Sequence, residues 1–555
     1  MTSYASPAPP MRAARHGLLW SRPWLPAVAL FAGAALISAF SIRNGIDPFD
    51  GGLMLQAARR IGSGQLPYRD FLWAYGPAQP YLLAGLFKLF GVSLLQWRIV
   101  LVLANAGISL VAWLLVRGRV HAVVALGAWL AVATEIAEPR SADPFPLALL
   151  AILLALLVAT GGAAPAARPG AVRALAAGLL VAVAVAFRLD FGLYGMAAVA
   201  VALAARGGDR DALARTRRRA GWPAETTWRA WLAPVAVAVA VAVGVGALVY
   251  LPFAAAIGPR ALYHALIGNS LATRDYWTLP FPLHFHAPPG AGTAKTLKKA
   301  LDFYVPLLLL AGFALAALGA LVGWWRQREA PARALGLLVV GAGLVAYMTS
   351  RADPNHAQPL FVIVAVTLGL VAGGSAPSRP AVSVLTALTL VLLTLLALHG
   401  VGNRLSALVH PPPAVPLRIA VADGVEAPPA EARAIDAMVA LVDSRVPPGA
   451  PIYVLPRRSD LVTFSNPLIY VMTERPNPTG QDFGLQAGAA AQARIVAALA
   501  RVRPRALVRW TDPLSSRPEP NLRGRPSGVH TLDYWVAAHY RVLARLYHYT
   551  VLVPR

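Results

Sequence analysis

Residues 46–77 read IDPFDGGLMLQAARRIGSGQLPYRDFLWAYGP. What flanks this stretch decides the fold. An apolar run at 24–42 precedes it, and another at 97–116 follows. Within it Leu53, Ala57 and Ile61 recur every four residues, with Gln56, Arg59, Arg60 and Ser63 elsewhere. That spacing predicts a short amphipathic helix able to lie in a membrane interface. Tyr68, Phe71, Trp73 and Tyr75 come next, side chains suited to the headgroup level. A second interfacial helix is expected over about 80–90.

Working outward, eleven apolar runs are long enough to be read as helical spans: 24–42, 97–116, 120–136, 144–160, 171–187, 190–205, 231–252, 302–323, 334–350, 357–373 and 381–400. The pair around Arg188 also reads as one broken helix. Hydrophobic residues make up 57% of the 555, and charged ones only 14% against roughly 25% in a soluble domain. A soluble enzyme and a disordered chain are both excluded. The absence of cysteine excludes a disulfide scaffold, a thiolate metal site and a thiol nucleophile. The net charge of +25 does not point to nucleic acid, because the arginines cluster between apolar runs, as in 206–230. Acids instead occupy the alternate connections: Asp47, Asp50, Asp70, Glu135, Glu138, Asp143, Asp275 and Asp353. The positive-inside rule then sets residues 1–23 as a cytoplasmic tail and the acidic loops, with the C-terminus, outside the plasma membrane.

Beyond Pro411-Pro412-Pro413 the pattern changes. Helices are expected at 430–445, 488–502 and 531–540, and strands at 451–455, 506–510 and 549–553. The alternation favours a small extracytoplasmic α/β domain after a linker, over 401–555. The fold class is therefore a polytopic α-helical membrane protein, about eleven spans over 24–400 with a long first outer loop at 43–96, carrying that small domain.

An acid soon after the first span, the "AARR" helix, then "G-x-L-P-Y-R-D-F" and a "Y-G-P…P-Y-L" turn resemble the first outer loop of the C-type glycosyltransferases. These polytopic enzymes include protein mannosyltransferases and aminoarabinose transferases. The resemblance is sharp over 46–90 and diffuse over the rest of 20–400. It implies a sugar donor on polyprenyl phosphate, an extracytoplasmic acceptor of unspecified kind, and inversion at the anomeric carbon. It implies Asp50 as the base, with partial desolvation at the end of a span raising its pKa. Family members carry an acidic pair here; Asp50 is followed by Gly51, which leaves Asp47 as the second candidate carboxylate. The leaving phosphate needs cations, and Arg59, Arg60 and Arg69 are nearest in sequence. A Lys that contacts phosphate in aminoarabinose transferases has no counterpart in Trp73–Pro77, so Arg69 stands in for it, with Tyr75 as a substrate contact.

Other candidates lie further along. Glu138 and Asp143, in the next acidic loop, would hold the acceptor or a divalent cation with Asp50; the plainer reading pairs Arg140 with Asp143. Arg188 interrupts an apolar stretch and is a donor-phosphate candidate, or else a tight turn. Arg351, Asp353 and His356 form a compact polar turn, either a phosphate and substrate site or an Arg351–Asp353 pair closing the turn. The loop 253–301 brings Trp277, His284, His286 and other cations and aromatics, which suits a sugar and its phosphate. Asp50 itself has a plainer reading as the N-cap of a helix. No phosphate-binding G-x-x-x-x-G-K-[ST] loop is present. A secondary transporter, which needs polar or broken mid-membrane segments, and a catalytically silent scaffold with an envelope-binding tail are the alternatives.

Overall fold

The computed structural model describes residues 24–140, 144–161, 170–219, 228–287, 290, 292–327, 332–373 and 380–555. The first half contains α1 (Leu25–Ala39), α2 (Asp50–Gly62), α3 (Ala78–Phe90), α4 (Leu94–Val116), α5 (Ala122–Glu135), α6 (Pro146–Thr160), α7 (Gly170–Phe187), α8 (Leu189–Arg219) and α9 (Trp228–Ile257). Three short helices follow, α10 (Pro259–Tyr263), α11 (Asn269–Ala272) and α12 (Arg274–Trp277). Then come α13 (Thr293–Gln327), α14 (Ala332–Ser350), α15 (Pro354–Gly373) and α16 (Pro380–Val409). Among the described residues, eight of these are long and apolar enough to cross a membrane, and α1, α5 and α6 are shorter apolar helices. Each of the eleven apolar runs is therefore helical.

Helix α15 sits at the centre, with Leu360 to Val366 sealed from solvent. Exposed Val243, Leu248 and Leu251 on α9, Leu318 and Leu321 on α13, and Val391, Leu395 and Leu398 on α16 form an apolar outer surface. Such a surface is stable only against lipid. Small residues let the helices close on one another. At Gly178 in α7, a Cβ would lie 2.6 Å from the Ala238 carbonyl of α9. The pair around Arg188 is two helices packed side by side, α7 and α8, joined by that single residue.

The tail forms β1 (Val415–Pro416), β2 (Glu426–Ala427), α17 (Pro429–Arg445), β3 (Tyr453–Leu455), α18 (Leu468–Met472), α19 (Ala489–Val502), β4 (Leu507–Trp510), α20 (Thr531–His539), β5 (Tyr540–Leu546) and β6 (Tyr549–Pro554). Its main sheet has the order β3-β4-β6-β5, parallel between β3 and β4 and antiparallel elsewhere. The period of two sends Tyr453, Leu455 and Leu507 to the face under α19 and α20, and Val454 and Val508 to the face under α17. Strands β1, β2 and β5 and helix α18 were absent from the sequence reading. β5 alternates Arg541, Arg545 and apolar residues on an exposed edge, so its period is masked by arginine.

One core joins the tail to the first loop. Met54, Leu55, Ala58, Phe71, Trp73 and Leu83 pack with Ile435, Met438, Val454, Tyr470 and Val551. Helix α2 is accordingly buried on most sides, not laid in a membrane interface as its pattern predicts. Gly52 abuts the backbone of Leu468, where a Cβ would stand 2.5 Å from the amide nitrogen. Arg59 donates to the Tyr470 carbonyl, and Arg60 pairs with Asp482. The polar side of α2 thus meets tail, not water. Gly76, in the Tyr-Gly-Pro turn, faces the Ala186 carbonyl too closely for any side chain, which seats the first loop on the end of α7.

Candidate active site

Two carboxylates flank the start of α2. Asp47 accepts from the Gly51 amide at 2.8 Å and so caps the helix backbone. Asp50 is the first residue of α2 and half-buried. Its neighbour Phe49 stacks on Phe464, with centroids 4.5 Å apart, and lies 6.5 Å from Trp277 and 6.2 Å from Phe483. Three separate segments meet at this point: the first loop, the connection after α9 through Trp277, and the tail.

From Phe49 a circuit of side chains runs around the same end of the bundle. Phe464 lies 3.9 Å beneath the Arg523 guanidinium, and Arg523 pairs with Glu519 at 2.5 Å. Glu519 binds Arg351 at 2.9 Å, and Arg351 binds Asp353 at 2.7 Å. Asp353 faces His356 Nδ1 at 2.8 Å, and the His356 ring lies 5.1 Å from Tyr347. Tyr347 covers Arg188 at 4.5 Å. Arg188 also lies over Phe191 at 4.6 Å and Tyr75 at 5.7 Å, and Asp190 grips it through both oxygens at 2.9 and 3.0 Å. Tyr75 returns to Phe483 and so to Phe49. Tyr75, Arg188, Arg351, Asp353 and His356 are thereby brought together from segments up to about 280 residues apart, and Asp50 follows Phe49 at the start of α2.

The remaining sequence candidates lie elsewhere. Arg60 is 5% exposed and committed to Asp482, Gln65 and the Thr479 carbonyl. Arg59 and Arg60 therefore clamp the tail onto α2. Arg69 stands apart, exposed and paired with Asp70 at 2.8 Å. Arg351 is held between two carboxylates, which includes the turn-closing pair to Asp353 and adds Glu519. Asp47 and Glu138 belong to a second cluster around buried Arg98, whose guanidinium holds the Ile42 and Gly45 carbonyls at 2.7 and 2.6 Å. Glu138 faces Arg140 at 3.9 Å and Arg404 at 3.6 Å. Asp143 lies outside the described residues. Phe464, Phe483, Glu519 and Arg523 escaped the sequence reading; Glu519 is one acid in an arginine-rich loop and reads as solvated surface.

Charge on the circuit is strongly coupled. Burial pushes the Asp353 carboxyl up, but His356 and Arg351 outweigh it and hold it below its ordinary value. Glu519 behaves likewise, with burial opposed by Arg351 and Asn521. A carboxylate depressed in the folded state stabilises above its unfolded pKa, about 4, and that stabilisation is lost as pH falls. The apparent Tm of the purified protein is expected to fall more steeply between about pH 5 and pH 3 than that of Arg351→Gln, whose carboxyls return toward ordinary values. Parallel slopes would remove this coupling.

Among the described residues, the one cluster of three metal-ligand side chains is Asp460, His530 and Asp533 in the tail, away from the circuit. Asp460 is paired with Arg458 and Asp533 with Arg509, so their charges are already matched. His284 and His286 have no third ligand beside them among the described residues.

No protein-family model matches the sequence, and no curated protein matches it in sequence. Solved structures do match in shape. ArnT from Cupriavidus metallidurans in the apo state is 15% identical, over 96% of this chain and 98% of its own, with a TM-score of 0.53. The same protein bound to undecaprenyl phosphate is 14% identical, over 95% and 97%, with a TM-score of 0.50. The arabinofuranosyltransferase AftD from Mycobacteria matches 96% of this chain and 40% of its own at 12% identity, and its TM-score of 0.46 is too low to bear on the fold. With its apolar helices packed as a bundle and a small sheet-bearing tail docked on it, the chain has the fold seen in that ArnT structure.

Proposed function

We propose that this protein transfers a hexosyl or pentosyl unit from a polyprenyl-phosphate donor to an acceptor on the extracytoplasmic face of the plasma membrane. The observation that carries the reading is the circuit at one end of the bundle. It holds a buried arginine among three aromatic rings and runs through Phe49, the neighbour of Asp50. A charge this deep beside a membrane span is costly without a function. The solved ArnT bound to undecaprenyl phosphate supports a lipid phosphate as the donor's carrier.

In the proposed reaction the acceptor hydroxyl oxygen attacks the anomeric carbon from the face opposite the phosphate. The bond from that carbon to the phosphate oxygen breaks, and its electron pair leaves with polyprenyl phosphate. Asp50 takes the hydroxyl proton. Arg188, fixed by Asp190, Tyr75 and Tyr347, meets the charge that grows on the leaving phosphate. Phe49 and Trp277, both stacked on Phe464, offer ring faces for the sugar. Asp353 and His356 contact the substrate from the far side of the circuit, and Arg351, held by two carboxylates, positions them. Arg59 and Arg60 support α2 from behind. Asp47 holds the helix start through the Gly51 amide. Glu138 faces two arginines, Arg140 and Arg404, which already match its charge.

The test is release of polyprenyl phosphate from synthetic polyprenyl-phosphate sugars by the purified protein, with cell-envelope extract supplying acceptors. Release that depends on the sugar and saturates with donor is expected. No release from any hexosyl or pentosyl donor would favour a transporter or a silent scaffold.

A further inference from the structure

Arg69, expected at the donor, lies instead in a separate cleft of about 680 Å³. Its walls come from three segments that also meet at the circuit. The first loop supplies Tyr68 to Leu72, the connection after α9 supplies His264 and Asn269, and the tail supplies Gln481, Arg494 and Arg501. On α19, residues 491, 494, 498 and 501 fall on one stripe. Alanines at 491 and 498 leave room between and beside the two arginines. Both arginines are exposed, and among the described residues neither has an ion-pair partner. The one carboxylate lining the cleft, Asp70, is bound twice by Arg69 and once by the Leu66 amide. The cleft therefore presents an uncompensated positive charge.

Its height relative to the membrane is set by its second wall. Helix α9 is a candidate span that ends at Ile257, and the helical segment after it exposes Tyr263, Ile267 and Leu271. These recur every four residues, so they form an apolar stripe suited to lipid, while His264 and Asn269 line the cleft. The cleft opens at headgroup level. Its size suits a headgroup or sugar rather than a single ion. Tyr68 ties it to the circuit: Tyr68 lines the cleft and donates its hydroxyl proton to the Tyr75 carbonyl at 2.6 Å, and Tyr75 faces Arg188.

We infer that this cleft is a second anion site, distinct from the donor site, which binds the phosphate ester of a headgroup-sized molecule through Arg494 and Arg501. Guanidinium forks match phosphate oxygens in pairs, and two of them without an ion-pair partner on one wall select a phosphate over a neutral sugar. The phosphate ester has two sources, a phosphorylated saccharide or an anionic phospholipid. Binding there does not require the transfer reaction, so the inference stands apart from the proposed catalysis.

The experiment uses the full chain in nanodiscs of zwitterionic lipid. Binding of glucose 6-phosphate, glucose, dihexanoyl phosphatidate and dihexanoyl phosphatidylcholine is measured by calorimetry at low salt. Wild type is expected to bind at least one of the two anionic probes, and at least tenfold more tightly than its neutral counterpart. The double variant Arg494→Gln/Arg501→Gln is expected to lose that binding by tenfold or more. Its melting temperature should not change, because both side chains are exposed on α19. Arg494→Lys/Arg501→Lys should recover part of it. Preference for glucose 6-phosphate identifies a phosphosaccharide site, and preference for phosphatidate a phospholipid site; either supports the inference. Binding of neither anionic probe, or equal binding by the Gln double variant, overturns it.

Discussion

Asp50→Asn is expected to lower the turnover of donor by about 10²–10⁴-fold, the range over which a positioned general base acts. Asn has nearly the same shape, so the side chain keeps its place but cannot take a proton. The protein should still fold, because the backbone at the start of α2 is capped by Asp47. The substitution also removes one negative charge from the first helical turn, a dipole interaction of about 0.3–2 kcal/mol for a partly buried group. Affinity for undecaprenyl phosphate should stay near wild type. The decisive readout is polyprenyl phosphate release, wild type beside variant, with melting temperature as the control for folding. Wild-type turnover in Asp50→Asn would end its assignment as the base, and would return attention to Asp47.

Arg60→Met is expected to be the most damaging single change to the fold. Arg60 binds Asp482 at 2.7 and 3.2 Å, the Thr479 carbonyl at 2.6 Å and Gln65 at 2.8 Å, and both charged side chains are 5% exposed. Removing the cation leaves Asp482 buried with Asn477 as its remaining side-chain partner, at 2.7 Å. Breaking one side of such a pair costs about 3–5 kcal/mol, chiefly from the stranded charge. The tail segment 477–486 would then lift from α2, and with it Phe483, which touches both Phe49 and Tyr75. The double variant Arg60→Met/Asp482→Leu should regain most of the loss, since it strands no charge. Thermal melting and protease cutting within 477–486 report both variants. Equal stability of wild type and Arg60→Met would show that the ion pair is not what docks the tail.

How much was legible in the sequence differs between span and site. The apolar runs are one-dimensional signals, because each helix satisfies its own backbone and needs only lipid or a neighbour around it. They map onto α1, α4 to α9 and α13 to α16. Three of the tail's four helices and three of its strands were legible for the same reason, as local periodicity. In the site, Asp50, Tyr75, Arg188, Arg351, Asp353 and His356 stood out as polar residues at the ends of apolar runs. Their partners Phe464, Phe483, Glu519 and Arg523 did not, because nothing in a loop of the tail marks which bundle end it will touch.

Arg59, Arg60 and Arg69 show the same limit from the other side. Adjacent in sequence to the candidate base, they carry the right charge for a leaving phosphate. The fold sends Arg59 to the Tyr470 carbonyl, Arg60 to Asp482, and Arg69 to a separate cleft. Arg188, more than a hundred residues away, is the one placed beside Tyr75. By itself, then, the sequence determined the membrane-spanning helices, the α/β character of the tail and the acidic loops at one end, since hydrophobic length, period and charge act through near neighbours. Which charges face one another was decided only by tertiary structure. Long polar side chains reach several ångströms in any direction, and whether a guanidinium meets a carboxylate, a ring or open space depends on segments hundreds of residues apart packing into one core.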